Sequence, residues 1–388
     1  MKNFTYHQST KILFGRGRVN ELAEVVSQYG KRVLLVTTPA ASPSLEDQYK
    51  SIKEILTSAG IVVVHFDGVM PNPTTAIISA GAVMARETDV QVIIGLGGGS
   101  SMDAAKAISV EATHPGTSWD YLFYKSPQPD ASKLLPVIAV STTSGTGSQV
   151  TQVAVITNAE HRDKSALYNN ILYPQVCIVD PELMISVPEF VTATTGFDVL
   201  CHAFESTINS GTGAYVDLLA WEAISLVAGY LPKVLRNLGD LEAREKMAWA
   251  DTLAGLCIAN AGVTLPHGMG MAVGGMYPHV AHGEALAILY PAFADFTWEA
   301  AVPQFSKISR ILNPSLVGVS DQEAASKSPD EIVKFLKLIG LNKKLRDVNM
   351  PEAEIEALAK QCMVLPDYKG NPRVATFEEM VQLVRLSF

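Results

Sequence analysis

The chain is poor in cysteine, poor in net positive charge and, over one long stretch, without any charged residue. Its four cysteines, Cys177, Cys201, Cys257 and Cys362, are scattered, form no CxxC pair and lie mostly in apolar surroundings. That leaves no disulfide framework to expect and fits buried thiols in a reducing, cytoplasmic compartment. Against 39 Asp and Glu there are 30 Lys and Arg, a net charge of −9. A nucleic-acid or anionic-membrane partner would need a basic face and is not expected. The opening residues, from Met1 through Gln8, lack the apolar run of a signal peptide. No Asp, Glu, Lys or Arg occurs between Thr252 and Gly283, yet Asn260, Pro266, His267 and several glycines interrupt that stretch. It therefore predicts a buried helix pair rather than a membrane span.

What is present is a globular composition, 48% hydrophobic and 18% charged over 388 residues. That length exceeds what one core usually fills and predicts two domains. In the first half, short β-branched runs at Val33–Thr37, Ile61–Phe66, Gln91–Gly95 and Pro136–Val140 alternate with helical stretches beginning near Val19, Leu45, Thr74 and Ser101. Such alternation predicts a parallel sheet with helices on both faces. Val153–Thr157 and Val176–Val179, separated by a polar stretch, suggest an extra hairpin or edge pairing. From Thr192 onward helical periodicity dominates, including Tyr215–Leu235, Leu241–Asn260, Pro329–Ile339, Pro351–Gln361 and Thr376–Val384. The expected division is an α/β domain over 1–187 and an all-helical domain over 188–388.

Four residues stand out on this apolar ground. Asp198 and His202 are four apart in a helical-looking segment, which puts both side chains on one face within reach of a single ion. His267 lies deep in the uncharged stretch, where an unpaired polar ring is costly. His282 follows, three residues after His279, and spacing alone does not separate the two. Three imidazoles and one carboxylate can close around a divalent cation, and such donors suit Fe, Zn, Ni or Cu alike.

Two turns carry a second signal. Gly95-Leu96-Gly97-Gly98-Gly99-Ser100-Ser101-Met102-Asp103 passes from strand through a glycine turn into a helix. Its backbone can approach a ligand closely, and the helix N-terminus offers amides to a diphosphate. The alternative is a structural turn in which Ser100 caps the helix and Asp103 returns the bond. Three consecutive glycines exceed what a cap needs, although the spacing is not GxGxxG. Ser141 to Ser148, rich in hydroxyls, follows the next strand and suits a ribose, amide or phosphate contact.

Glycine turn, hydroxyl turn and metal tetrad, in this order, resemble the iron-containing (group III) alcohol dehydrogenase family. The resemblance runs from Phe14-Gly15 through Pro71-Asn72-Pro73-Thr74, both turns, Asp180-Pro181-Glu182-Leu183 and the histidines to Asn371-Pro372-Arg373. It implies a dehydroquinate synthase-like architecture, with a dinucleotide-binding α/β domain followed by a helical metal-binding domain. It implies that Asn72, Gly97, Gly98, Gly99, Ser100, Ser101, Asp103, Thr142, Thr143 and Ser148 surround a nicotinamide dinucleotide, with Lys164 nearby. The metal ligands would be Asp198, His202, His267 and His282, the last chosen over His279 by the family's His-Gly element. Ferrous iron is the usual metal and zinc an alternative. The implied reaction is hydride transfer between NAD(P)(H) and a small primary alcohol or aldehyde, with the substrate held in an interdomain cleft. A homodimer or larger homo-oligomer is also implied.

Three departures matter. Met271 stands where many members carry a second histidine, and Gln149 follows the hydroxyl turn where an acid is common. At the end of the second strand Thr37-Thr38-Pro39 replaces an acidic residue, which leaves NADP(H) open; no Arg or Lys in that turn offers a phosphate clamp, so NAD(H) is favoured. Met269, Met271, Met276, Tyr277 and Phe197 suggest a compact pocket for a short substrate. An anionic aldehyde, such as sulfo- or phosphonoacetaldehyde, would need a cation such as Lys164 or Arg373. The competing functions are a dehydroquinate synthase-like lyase, which needs basic residues that the segments near the tetrad do not supply, and a noncatalytic NAD-binding protein.

Overall fold

The computed structural model describes residues 3–388, and they form two compact units. One comprises Gln8–Pro188 with Leu238–Ala248; the other comprises residues 3–7, Glu189–Asn237 and Trp249–Phe388.

The first unit is built on six strands: β1 (Lys11–Phe14), β2 (Arg32–Val36), β3 (Val62–Phe66), β4 (Val92–Gly97), β5 (Val137–Ser141) and, after a separate hairpin, β8 (Val176–Val179). All pair in parallel, in the order β1-β8-β5-β4-β2-β3. Burial of both faces explains the continuous apolar runs. Leu34 and Val36 face one core with Ile78, Ala82 and Ile108, while Val33 and Leu35 face another with Val25, Ile52 and Leu56. Between the strands lie α1 (Leu22–Ser27), α2 (Pro43–Ser58), α3 (Thr75–Glu87) and α4 (Gly99–Thr113). The chain leaves β2 toward β3 but leaves β4 toward β5 on the other side. The carboxyl ends of these strands therefore form a switch point, the usual ligand position in an open α/β sheet.

The expected parallel sheet is borne out, with two additions. β1 at the edge carries no sequence signal, because only Leu13 of its four residues is buried. Val153–Asn158 (β6) pairs antiparallel with Asp163–Tyr168 (β7), a partner hidden in the polar stretch, whereas Val176–Val179 joins the main sheet.

The second unit is helical: α5 (Glu189–Ile208), α6 (Ala214–Arg236), α7 (Leu241–Ala261, entering from the first unit's segment), α8 (Leu265–Met276), α9 (His282–Thr297), α10 (Val302–Leu312), α11 (Asp321–Ser326), α12 (Ser328–Leu338), α13 (Ile355–Cys362) and α14 (Phe377–Ser387). Within it α5 packs on α6 and α9, and α8 on α9 and α13. The uncharged stretch becomes the end of α7 and all of α8, bent by 100° at the break between them. Among the described residues one helix, α6, has by itself the length and apolarity of a span; it carries Asp217, Glu222, Lys233 and Arg236. All four cysteines are buried and none is in a disulfide.

Candidate functional site

In the helical unit three elements deliver four side chains to one point. On α5 the steps Asp198, His202, Glu205 of four and three residues fall on a single face. α8 opens with Pro266 in its first turn, a position where the missing amide costs nothing, and His267 comes next. α9 begins at His282, and a Cβ on Gly283 would collide with the Thr194 carbonyl. The start of α9 therefore rests on the backbone of α5, which brings His282 to Asp198.

The resulting geometry converges on Asp198 Oδ1, approached by His267 Nε2 at 3.4 Å, His202 Nε2 at 3.6 Å and His282 Nε2 at 4.0 Å. Donors around a tetrahedral cation with bonds of about 2.0–2.1 Å sit about 3.3 Å apart, so the spacing fits an ion. Ligand atoms of Asp198, His267 and His282 all lie within 4.8 Å of one another. The His202 and His267 rings stack with centroids 4.5 Å apart. Asp198 is 2% exposed and His267 5%, yet Asp198 Oδ1 and His267 Nε2 have no hydrogen-bond partner. Two buried polar atoms aimed at each other with no hydrogen-bond partner are a donor set suited to a cation. His279 is occupied elsewhere, against the Val348 carbonyl at 3.0 Å.

Glu205, which carries no local sign of a site role in the sequence beyond its spacing, completes this group. Fully buried, it lies 2.7 Å from His267 Nδ1 and accepts from the Thr264 amide at 2.8 Å. A carboxylate only accepts, so Nδ1 carries a proton and Nε2 is the atom turned to the cluster, where a cation would take the place of its proton. Its i+7 spacing from Asp198 was the available signal. Burial opposes charge on His267, but Glu205 and Asp198 outweigh it and push the imidazole up to about 10. Burial also opposes charge on Asp198, and His202, His267 and His282 outweigh it, holding that carboxyl down at about 2. Asp367 adds a third carboxyl near His267; burial pushes it up to about 6, with His267 pulling the other way.

The α/β unit gathers the other expected residues. Gly97, at the end of β4, has φ +146°, backbone that suits glycine. α4 starts with Gly98 as N-cap and no side-chain cap, so Ser100 is not the cap. Instead Asp103 accepts from Ser148 Oγ at 2.6 Å and from the Val155 amide at 3.0 Å. Glycine turn and hydroxyl turn touch: a Cβ on Gly98 would meet Thr143 Oγ1 at 3.0 Å, and one on Gly99 would meet Thr146 Cγ2 at 2.5 Å. The Thr142 amide donates to the Gly97 carbonyl at 2.9 Å. Ser101 Oγ is buried without a partner. Asn72, at φ 57°, accepts from Lys164 Nζ at 2.7 Å. Uncapped amides and an orphaned hydroxyl beside a close-packed glycine backbone suit a diphosphate.

Of the expected pocket residues, Phe197 and Met269 are core, 0% and 1% exposed, while Met271 is half-buried. Gln149 is fully buried. Arg373 is committed to Glu379 at 2.7 Å, to the Phe296 carbonyl at 3.2 Å and to the Phe296 ring.

Comparison with known proteins places the chain in a family. The family profile "Iron-containing alcohol dehydrogenase" matches residues 9–181 and its C-terminal counterpart matches residues 192–388. An NAD-dependent methanol dehydrogenase of Bacillus methanolicus is 33% identical over 388 residues, covering 99% of each chain. The solved structure of an archaeal halo-thermophilic alcohol dehydrogenase from a Red Sea brine pool superposes with a TM-score of 0.94 at 33% identity, over 100% of both chains. A sulfoacetaldehyde reductase from Bifidobacterium kashiwanohense, solved with NAD+, has a TM-score of 0.85 at 28% identity and covers 99% of this chain and 98% of its own. On both halves of its length, then, the chain belongs to the iron-containing alcohol dehydrogenase family, and it is an oxidoreductase of that family.

Proposed function

We propose that this protein transfers a hydride between NAD(H) and a short, neutral primary alcohol or aldehyde, with Asp198, His202, His267 and His282 holding ferrous iron. The observation that carries the reading is the pair of buried, unpartnered atoms, Asp198 Oδ1 and His267 Nε2, at the centre of three imidazoles. Zinc fits the same donors, and the preference for iron rests on the family alone. When bound, the cation would supply Lewis-acid polarisation of the alcohol or carbonyl oxygen, and the nicotinamide the hydride acceptor or donor.

The chain's own residues do the rest. Glu205 keeps the proton of His267 on Nδ1, so Nε2 stays available to the cation. The ring stack of His202 on His267 fixes both imidazole planes. Phe197 and Tyr290, fully buried with ring centroids 5.3 Å apart, keep water from the inner side of α5. Gly97 to Ser101 would receive the diphosphate at the start of α4, and Thr142, Thr143, Ser148, Asn72 and Lys164 the rest of the dinucleotide.

Two features support the finer choices. At the end of β2, Thr37 Oγ1 is 2.9 Å from His65 Nε2 and Thr38 Oγ1 3.1 Å from the Tyr49 hydroxyl. Burial, helped by Lys53, holds His65 below its ordinary value, so it offers no charge to a 2′-phosphate. That favours NAD(H). Near the proposed metal ligands Asp198 and Glu205 act on His267 and Glu205 raises Asp367, and Arg373 is committed elsewhere. An anionic substrate would find no welcome there.

The test is anaerobic oxidation of NADH and NADPH by the Fe(II)- or Zn(II)-loaded protein across short neutral and anionic aldehydes. Metal-dependent turnover, fastest with NADH and a neutral aldehyde, is expected. Faster turnover of sulfoacetaldehyde would overturn the charge assignment, and no turnover with bound metal and dinucleotide would overturn the reaction.

A further inference from the structure

We propose that Lys106 is a positioning residue for dinucleotide binding, an ammonium clamp that holds the hydroxyl turn in register with the glycine turn. The inference rests on the reading of those two turns as the dinucleotide site.

Lys106 lies on α4 and is 0% exposed. Its Nζ donates to three main-chain carbonyls, of Ser148 at 2.7 Å, Thr151 at 2.9 Å and Val153 at 2.7 Å, and lies 2.9 Å from Ser148 Oγ. An ammonium has three protons, and three carbonyls within six residues absorb them. One helical turn earlier Asp103 grips the same segment from the acidic side, through Ser148 Oγ and the Val155 amide. A single helix thus holds residues 148–155 by a cation and an anion three positions apart, and Ser148 belongs to both grips. The N-terminus of that helix is the glycine turn itself, where Gly98 lies close against Thr143 and Gly99 fits against Thr146 with no room for a methyl group. The donors of the two turns keep their mutual spacing only while the segment stays seated on α4.

Chain economy alone does not account for a lysine here. Burying an ammonium is expensive even when it is fully hydrogen-bonded, and an apolar side chain with local turns usually stabilises as well. Burial pushes Lys106 down to about 8, against the pull of Asp103. Glu111, five residues further along α4, offers a contrast. It is also buried, accepting from Ser79 Oγ and from the Ser118 amide at 2.7 Å, but it holds a loop outside the proposed site.

The experiment titrates NADH, by fluorescence, into the metal-loaded full chain carrying Lys106→Met or Glu111→Gln. Lys106→Met is expected to raise the NADH Kd about tenfold, the scale of one or two misplaced hydrogen-bond donors. KM for NADH should rise by the same factor, with kcat at saturating NADH and metal content held. Glu111→Gln should lower Tm and leave the Kd alone. An unchanged Kd in folded Lys106→Met overturns the inference, as does an equal rise in Glu111→Gln, which would mean general loosening of α4. If Lys106→Met does not accumulate, Lys106→Gln, shorter by one atom but still a donor, is read by the same titration. Wild-type protein that bound neither NADH nor NADPH would overturn the dinucleotide reading first, and this inference with it.

Discussion

The two candidate regions handle buried charge in opposite ways. Around the glycine and hydroxyl turns, Lys106 is fully buried and Asp103 half-buried, and both are paired with the same short segment. Around Asp198, the carboxylates of Asp198 and Glu205 are buried among imidazoles, and two polar atoms are left unsatisfied. In the first region the charged side chains are satisfied within the chain, and the one orphaned group named there is the Ser101 hydroxyl. The second leaves two buried polar atoms facing one point, the place the proposed cation would take. Whether a buried charged group is paired within the chain, more than residue type, separates the two regions.

That contrast is broken most directly at His267. His267→Ala should cost bound metal and lower turnover by on the order of 10³-fold or more, with the NADH Kd unchanged. Elemental analysis of the purified variant, with NADH titration beside it, checks both halves. Full metal content would remove His267 from the site. Glu205→Gln sharpens the same point. The amide oxygen still accepts from His267 Nδ1 but the charge is gone, so metal affinity should fall about 10- to 100-fold, measured by competition with a chelator. An unchanged affinity would make Glu205 a packing residue.

In the other region steric fit replaces charge. Gly99→Ala puts a methyl group 2.5 Å from Thr146 and should raise the NADH Kd about tenfold with metal retained, since a displaced turn forfeits one or two donors. Adding Thr146→Gly removes the obstacle and should return most of the loss. If the double variant binds no better than Gly99→Ala, the cost lies in the helix rather than in the contact between turns.

The two regions also differ in how readily the sequence disclosed them. The sheet was legible wherever strands are buried on both faces, because Val33–Val36 or Ile93–Leu96 admits only apolar residues. It was not legible at β1, with one buried residue, or at β7, whose partner strand supplies what its own polar sequence does not. Asp198 and His202 advertised themselves by spacing. Glu205 did not, since its role depends on Thr264 and His267, some 60 residues away. Asp103 was open to misreading as a local capping partner because its true contacts, Ser148 and Val155, lie 45 and 52 residues on. Local periodicity reports burial. It is silent about which distant group a buried charge will meet.

The smallest effect is expected at Arg373, and it bears on substrate charge. The guanidinium is about half exposed and divides itself between Glu379 and the Phe296 carbonyl and ring. An exposed pair of this kind contributes about 0–1 kcal/mol to stability. Arg373→Met should therefore lower Tm by a few degrees at most while leaving KM for neutral and anionic aldehydes alike within about twofold, since a contact that was never made costs nothing to remove. A selective rise in KM for sulfoacetaldehyde would mean that Arg373 leaves Glu379 to meet the substrate, and the neutral-substrate assignment would give way to an anionic one.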